Sequence, residues 1–320
     1  MLYFANLIDG EKLTFLPLKT MVNISYHTAR FQGKFNRYFY KSKIAQTVKL
    51  PISTTRKVPI SVYALSCERD LAEQVASVHS FLCNVGIPDK FTIISDGSYT
   101  DLSCQLLCCI HPCVEVIPIH KFLRKDLPQC VSDYAQVHPM GKKLSALMSI
   151  PVNGATIYTD SDILFFPGGI DLVELANLDS QVCHYLPDCS NSLDGRILDE
   201  DGEKINPVNA GFIFFKNELN WDFAIKRLAK LTGIPSYFTE QTIVHLTIHQ
   251  NHGVPLCSEK YVMNVTDQFI YPDKFASNKI ALRHYVSDIR HKFWMNIMKP
   301  QINTNKSPIY PIYQRRPSGV

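Results

Sequence analysis

Residues 155–166 read ATIYTDSDILFF, a pattern that few folds can accommodate. Five mostly apolar residues, rich in β-branched and aromatic types, lead into Asp160-Ser161-Asp162, and a second apolar run follows. Such a profile suits a buried strand of an α/β sheet. The two carboxylates then fall at the strand end, the edge where open parallel sheets place ligands. An isolated buried charge is strongly unfavourable. Two aspartates between apolar runs are therefore expected to meet a cation, a sugar hydroxyl or both. A polar turn between strands is the plainer alternative.

The surrounding sequence extends the strand into a fold. Residues 58–66 (VPISVYALS) read as a strand, and 70–85 as a helix with Leu71, Val75, Val78 and Leu82 on one face. Pro88 punctuates, 91–95 is a second strand, and Asp96-Gly97-Ser98 makes a turn. A helix over 100–110, a strand over 114–118 and a helix over 143–150 precede the acidic strand, and a helix over 170–177 follows it. This alternation predicts an α/β fold with a Rossmann-like, mostly parallel central sheet flanked by helices. Beyond residue 180 the reading gives strands over 184–188, 209–215 and 280–285, and helices over 221–232 and 240–249. The polar stretch 190–207 reads as a mobile loop or hairpin. The expected organisation is a basic N-terminal arm at 1–55, one main domain at 56–300 and a C-terminal tail at 301–320.

Charge is uneven. From Lys12 to Cys67 there are ten Lys or Arg and no Asp or Glu, while the chain from Glu68 onward is net negative. Within 29–50, Arg30, Lys34, Arg37, Lys41, Lys43 and Lys49 alternate with Phe31, Phe35, Tyr38, Phe39 and Tyr40. Such a strip suits a solvated face whose aromatics pack on the main domain, or peripheral contact with an anionic membrane. The chain has no zinc-ligand pairs, helix-turn-helix signature or RNP-like motif, so a nucleic-acid partner is not expected. No run approaches the ~18 apolar residues of a spanning helix, and the N-terminus lacks a signal-peptide pattern, so a cytoplasmic protein is expected. The ten cysteines lack zinc spacing and are expected as buried, reduced thiols.

Four landmarks in order give the chain a likeness: YTDSD at 158–162, NAGF at 209–212, EQ at 240–241, and HY with KFW at 284–285 and 292–294. In these it resembles nucleotide-sugar-dependent glycosyltransferases of the GT-A fold, most of all the family of glycogenin and the bacterial lipopolysaccharide galactosyltransferases. The likeness runs from about residue 58 to 294. It implies a metal-dependent transfer of sugar from a nucleoside-diphosphate donor, a UDP-sugar by default, to a glycan, lipid-linked or small-molecule acceptor.

The resemblance also implies roles. Asp162 and His284 would hold a divalent ion with Asp160, and imidazole beside two carboxylates favours Mn2+ over Mg2+. Asp160 and Ser161 would also approach the nucleotide. Ala64 and Ser66 would line the base pocket with Asp96, which can equally serve as a turn cap. Lys143, or its neighbour Lys142, would touch the diphosphate or donor sugar. Asn209 would shape the sugar pocket, with Gly211 keeping the backbone accessible. Lys292 would meet the diphosphate. The chain departs from the family between His284 and Trp294, where Arg290 or His291 can take that contact instead. Glu240 stands where the family has Asp, at the start of a helix that Thr239 is placed to cap, and Gln241 would lie beneath the anomeric carbon. The glutamine favours a retaining reaction; an inverting one would need Glu240, Asp188 or Asp288 as base. Nucleotidyl transfer is the alternative chemistry, but the position of its glycine-rich loop reads SCERD. A non-catalytic carbohydrate- or membrane-binding module is the other alternative.

Overall fold

The computed structural model describes residues 23–297. The expected tail at 301–320 and the first residues of the basic arm lie outside the described residues. The helix α1 (Ile24–Ser42) is capped by Asn23, whose side chain accepts the Tyr26 N–H at 3.0 Å, and a short α2 (Ile44–Thr47) follows. Then come β1 (Lys57–Ser66), α3 (Leu71–Asn84), β2 (Ile87–Ser95), α4 (Asp101–Cys108), β3 (Val114–Pro118) and α5 (Ile119–Phe122). The helices α6 (Gln129–Val137) and α7 (Pro139–Met148) lead into β4 (Thr156–Thr159) and β5 (Ile163–Phe165). After α8 (Asp171–Asn177) the chain runs through β6 (His184–Pro187), β7 (Val208–Phe215), α9 (Asp222–Ala229) and α10 (Thr239–Gln250). It closes with β8 (Val254–Pro255), β9 (Tyr261–Val262), β10 (Leu282–His284) and α11 (Arg290–Ile297).

Seven strands form the main sheet in the order β3-β2-β1-β4-β7-β6-β8. The left half, through β4, is parallel, and β7 is antiparallel to both β4 and β6. This is the Rossmann-like, mostly parallel α/β sheet expected from the sequence. Period-2 alternation divides two cores. Val62 and Ala64 of β1 and Ile157 of β4 enter one cluster, while Tyr63 and Tyr158 enter another. The chain first winds from β1 outward to β3, then returns to the far side of β1 as β4. The carboxyl ends of β1 and β4 thus flank the reversal of strand order, where α/β sheets open a crevice.

Several local readings change. Pro88 does not interrupt but lies within β2, where it faces Val58 next to a register shift between Val58 and Ser61. A residue without an N–H is tolerated at such an irregularity. The helices α6 and α11 had no counterpart in the sequence reading. The basic segment is not a loose arm: Tyr40 and Val48 belong to the main core, and the Tyr40 ring meets Trp294 of α11 at 5.1 Å. Phe31, Phe35, Tyr38 and Phe39 do not pack inward but are exposed. All ten cysteines are unpaired, but only Cys183 is buried, which corrects the expectation of a buried set. Among the described residues no helix is long and apolar enough to cross a membrane.

Candidate active site

The Asp160 backbone N–H leaves the end of β4 and donates to the Gly211 carbonyl of β7 at 2.8 Å. Ser161, largely buried, turns the chain so that Asp162 precedes β5. That short strand joins a second sheet, β5-β10-β9, in which β10 runs antiparallel to β5 with His284 opposite Ile163. The register sets His284 beside Asp162, and the Tyr285 N–H donates to the Asp162 carbonyl at 2.9 Å. One ligand atom from each of Asp160, Asp162 and His284 lies within 4.8 Å of the others.

The imidazole is held for this purpose. Asn209 Oδ1 accepts the Gly211 N–H at 3.0 Å, and Asn209 Nδ2 donates to Asp188 Oδ2 at 3.1 Å, so both ends of the amide have assigned partners. His284 Nδ1, 2.9 Å from that Oδ1, must then carry a proton. Nε2 faces Asp162 Oδ1 at 3.1 Å and Asp160 Oδ2 at 3.9 Å. A hydrogen bond on the other ring nitrogen is the usual support of a metal-binding histidine. Gly211 is required sterically, because a Cβ there would lie 2.3 Å from His284 Cε1. Two carboxylates and this imidazole fit a divalent ion such as Mn2+.

Cations surround the acids. Lys143 Nζ of α7 donates to Asp160 Oδ2 at 2.9 Å, and the Tyr158 hydroxyl donates to Oδ1 at 2.9 Å. Burial works against the Lys143 charge, yet Asp160 and Glu240 outweigh it and hold its pKa above the ordinary lysine value. Burial also opposes the Asp162 charge, but His284 and Arg290 hold its carboxyl well below the usual range. Arg290 bonds directly to Asp162 Oδ2 and lies 3.7 Å from Asp70, with its side chain 36% exposed. Glu240 is buried with Oε1 3.7 Å from Lys143 Nζ and without a hydrogen bond. Burial pushes its pKa up to about 7, although Lys143 pulls the other way.

Gln241 closes the site. Its Nε2 donates to Asp188 Oδ2 at 3.1 Å and to the Ser192 carbonyl at 2.9 Å. Asp162, His284, Asn209, Asp188 and Gln241 thereby form one continuous chain of hydrogen bonds. The 190–207 segment is tied down rather than loose. The Asp194 N–H donates to Thr242 Oγ1 at 2.7 Å, and Asp194 Oδ2 accepts from Thr239 and Ser236 at 2.7 and 3.0 Å. Thr239 is thus the first residue of α10 and an anchor for this loop, not a cap; Phe238 holds the cap position.

Asp160, Asp162, His284, Lys143, Asn209, Glu240 and Gln241 converge as a group. Lys292 does not join them. It is fully buried, donates to the Ile270 and Pro272 carbonyls at 2.7 and 2.8 Å, and lies 3.3 Å from Asp267. Its place on α11 turns it away from the site, and His291 is buried against α1, leaving Arg290 as the cation of that segment. The Asp96 carboxylate accepts from the Ser98 N–H and hydroxyl at 2.9 and 2.6 Å, the geometry of a turn cap. Lys142 donates to the Asp96 carbonyl at 3.2 Å, which separates its place from that of Lys143. Ala64 is fully buried, and Ser66 Oγ accepts from the Tyr99 hydroxyl at 2.7 Å, so both turn core or bonded atoms rather than free side chains to this edge. Tyr158 and Asp188 went undervalued in the sequence. Tyr158 reads as one more core aromatic, and Asp188 is 53 residues from Gln241.

No protein-family model matches the sequence, and no curated protein matches it. Solved structures do. The galactosyltransferase LgtC in complex with donor and acceptor sugar analogues is 12% identical over 71% of this chain and 87% of that one, with a TM-score of 0.45. The glycosyltransferase GlyE of Streptococcus pneumoniae TIGR4 is 15% identical over 75% of this chain and 60% of that one, TM-score 0.47. Mouse xyloside xylosyltransferase 1 is 11% identical over 73% of this chain and 99% of that one, TM-score 0.46. These neighbours are glycosyltransferases, the class that the four sequence landmarks resemble. At such identities and scores, the chemistry of this chain has to be read from its own residues.

Proposed function

We propose that the chain is a metal-dependent glycosyltransferase that takes a sugar from a nucleoside-diphosphate donor, a UDP-sugar by resemblance, and delivers it to a glycan, lipid-linked or small-molecule acceptor. The observation that carries this reading is the Asp160, Asp162 and His284 cluster at the crevice edge of the sheet, with the His284 tautomer fixed by Asn209. Held by these three residues, Mn2+ or Mg2+ would supply positive charge to the leaving diphosphate. Arg290 is placed to add a guanidinium fork, which matches phosphate oxygens in pairs. It would exchange its bond to Asp162 for the donor, and Lys143 would stay on Asp160.

Retention fits the surroundings of Gln241. In a retaining transfer the bond from the anomeric carbon to the diphosphate breaks, and the acceptor oxygen bonds on the same face. The acceptor proton passes to the departing diphosphate oxygen, so no protein base is needed. Asp188 is a poor base, because its two oxygens already accept from Asn209, Gln241 and Ser190. The Gln241 carbonyl oxygen is the neutral dipole left to face a cationic sugar.

The test is nucleotide release from UDP-, GDP-, CMP- and dTDP-sugars, with manganese and with chelator, alongside calorimetric binding of the free nucleotides. Metal-dependent release from one donor is expected. Absence of manganese-dependent binding for all four nucleotides would overturn the reading.

A further inference from the structure

We propose that the outer face of α1, together with residues 269–271, is a docking surface for an anionic lipid bilayer. The helix has two faces with different tasks. Ala29, Gly33, Asn36 and Tyr40 are buried at spacings of four, three and four residues, which is one stripe of an α-helix. Gly33 lies so close to α11 that a Cβ would meet the His291 carbonyl at 2.7 Å. Asn36 Nδ2 donates to the Trp294 carbonyl at 3.3 Å, and Arg37 grips Glu73 at 2.6 Å. The helix is therefore fixed and cannot roll to hide its other side.

That other side is apolar and bare. Ile24, Phe31, Phe35 and Tyr38 lie about half a turn from the buried stripe, with relative exposures of 75, 72, 56 and 75%. A second exposed apolar group lies beside the N-terminus of the helix. The Tyr26 ring meets Phe269 at 5.1 Å, Asn23 Nδ2 donates to the Phe269 carbonyl at 3.5 Å, and Phe269, Ile270 and Tyr271 are all exposed. Contiguous exposed apolar surface marks a place where something binds.

Charge selects the partner. Arg30, Lys34 and Lys41 flank the aromatic stripe, and no acid occurs on α1 or anywhere between Lys12 and Cys67. Aromatic side chains inserted at a headgroup boundary, with lysines and arginines spread beside them, are how an interfacial helix holds an anionic membrane. A protein partner with an apolar groove would not need the basic flank. The docking stands whether or not the chain transfers sugar.

Sedimentation of the full chain with vesicles tests it. Binding is expected to phosphatidylserine-containing vesicles, not to phosphatidylcholine alone, and it should fall at high salt. Lys34→Glu with Lys41→Glu should weaken it by at least about fivefold per cation. Phe31→Ser with Phe35→Ser should weaken it with the charge unchanged. All four positions are exposed, so matching thermal melts would show that the fold persists. In a Phe31→Trp variant, fluorescence should shift to the blue only when anionic vesicles are added. Equal binding to neutral vesicles, or none, overturns the proposal. A blue-shifted signal from the Phe31→Trp variant without lipid would mean that another segment of the chain covers the face. A concentration-dependent dimer broken by the Phe→Ser pair would mean that a second copy does. Either result also overturns it.

Discussion

Arg283 and His284 are consecutive on β10, so their side chains leave opposite faces of the strand and enter two different buried ion clusters. Arg283 joins a closed one. It donates to Asp267 at 2.8 and 3.2 Å, contacts Asp273, and packs its guanidinium 5.1 Å from the rings of Phe275 and Tyr285. Lys292 adds a second cation on Asp267, and Tyr285 donates to Asp273 at 2.9 Å. None of these four charged side chains is exposed. His284 joins an open cluster, in which Arg290 reaches solvent and Nε2 faces two carboxylates. Both clusters hold acids and bases in similar number, so charge alone does not separate scaffold from site. What separates them is access: the closed set is sealed from solvent, with Nε the one unpartnered nitrogen of Arg283, and the other reaches solvent through Arg290.

The sharpest way to break this contrast is Asp162→Asn. Manganese-dependent nucleotide affinity should fall by more than the roughly 100-fold that losing an outer-shell partner costs. The thermal midpoint should stay within ~4 °C, the shift expected of about 1 kcal/mol. An unchanged affinity would mean that the open cluster is scaffold too. Arg283→Met should do the reverse. Two buried acids lose their main partner, and stability should fall by about 3–5 kcal/mol in urea unfolding, with the manganese affinity of the folded protein intact. Asn209→Ala touches the open cluster indirectly, by freeing the His284 ring. It should weaken metal binding by about 10–100-fold while leaving the stoichiometry at one ion.

The smallest effect is on pH dependence. Burial opposes the Asp267 charge, but the hydrogen bond and charge of Arg283 prevail and lower its pKa. A carboxyl with a depressed folded pKa binds fewer protons folded than unfolded. Its contribution is complete above the ordinary aspartate value of about 4 and is lost as pH falls below it. Asp267→Asn should therefore flatten the acid limb of the stability profile; an unchanged limb would remove Asp267 from the closed cluster's account.

The sequence made the main sheet and the acidic edge legible for a common reason. The strands β1, β4 and β7 are buried on both faces, so their apolar runs are long enough to read, and a charge at their end stands out. Of the small sheet only β10 was legible, inside the strand read over 280–285; β5 and β9 are three and two residues long, too short to display alternation. The segment RHKFWMNI hid the helix α11 because nearly every one of its residues is buried, leaving no polar stripe to mark a helical face. The resemblance alone put Lys292 on the diphosphate, and nothing in the segment itself marks it as a buried lysine. Its true partners, two carbonyls and Asp267, lie about 20 residues upstream, and only the fold brings them together.

The hydrogen-bonded chain from Asp162 through His284, Asn209 and Asp188 to Gln241 has a thermodynamic corollary. Its two ends belong to the ion and to the donor sugar in the proposed reaction, so a ligand that repositions Gln241 also changes the orientation held at His284. Linkage then works in both directions: whatever factor the sugar contributes to ion affinity, the ion must return to sugar affinity. Nucleotide alone, which lacks the sugar, would not experience that reciprocity. The difference in ion affinity between UDP and an intact UDP-sugar would therefore measure the coupling carried by this chain.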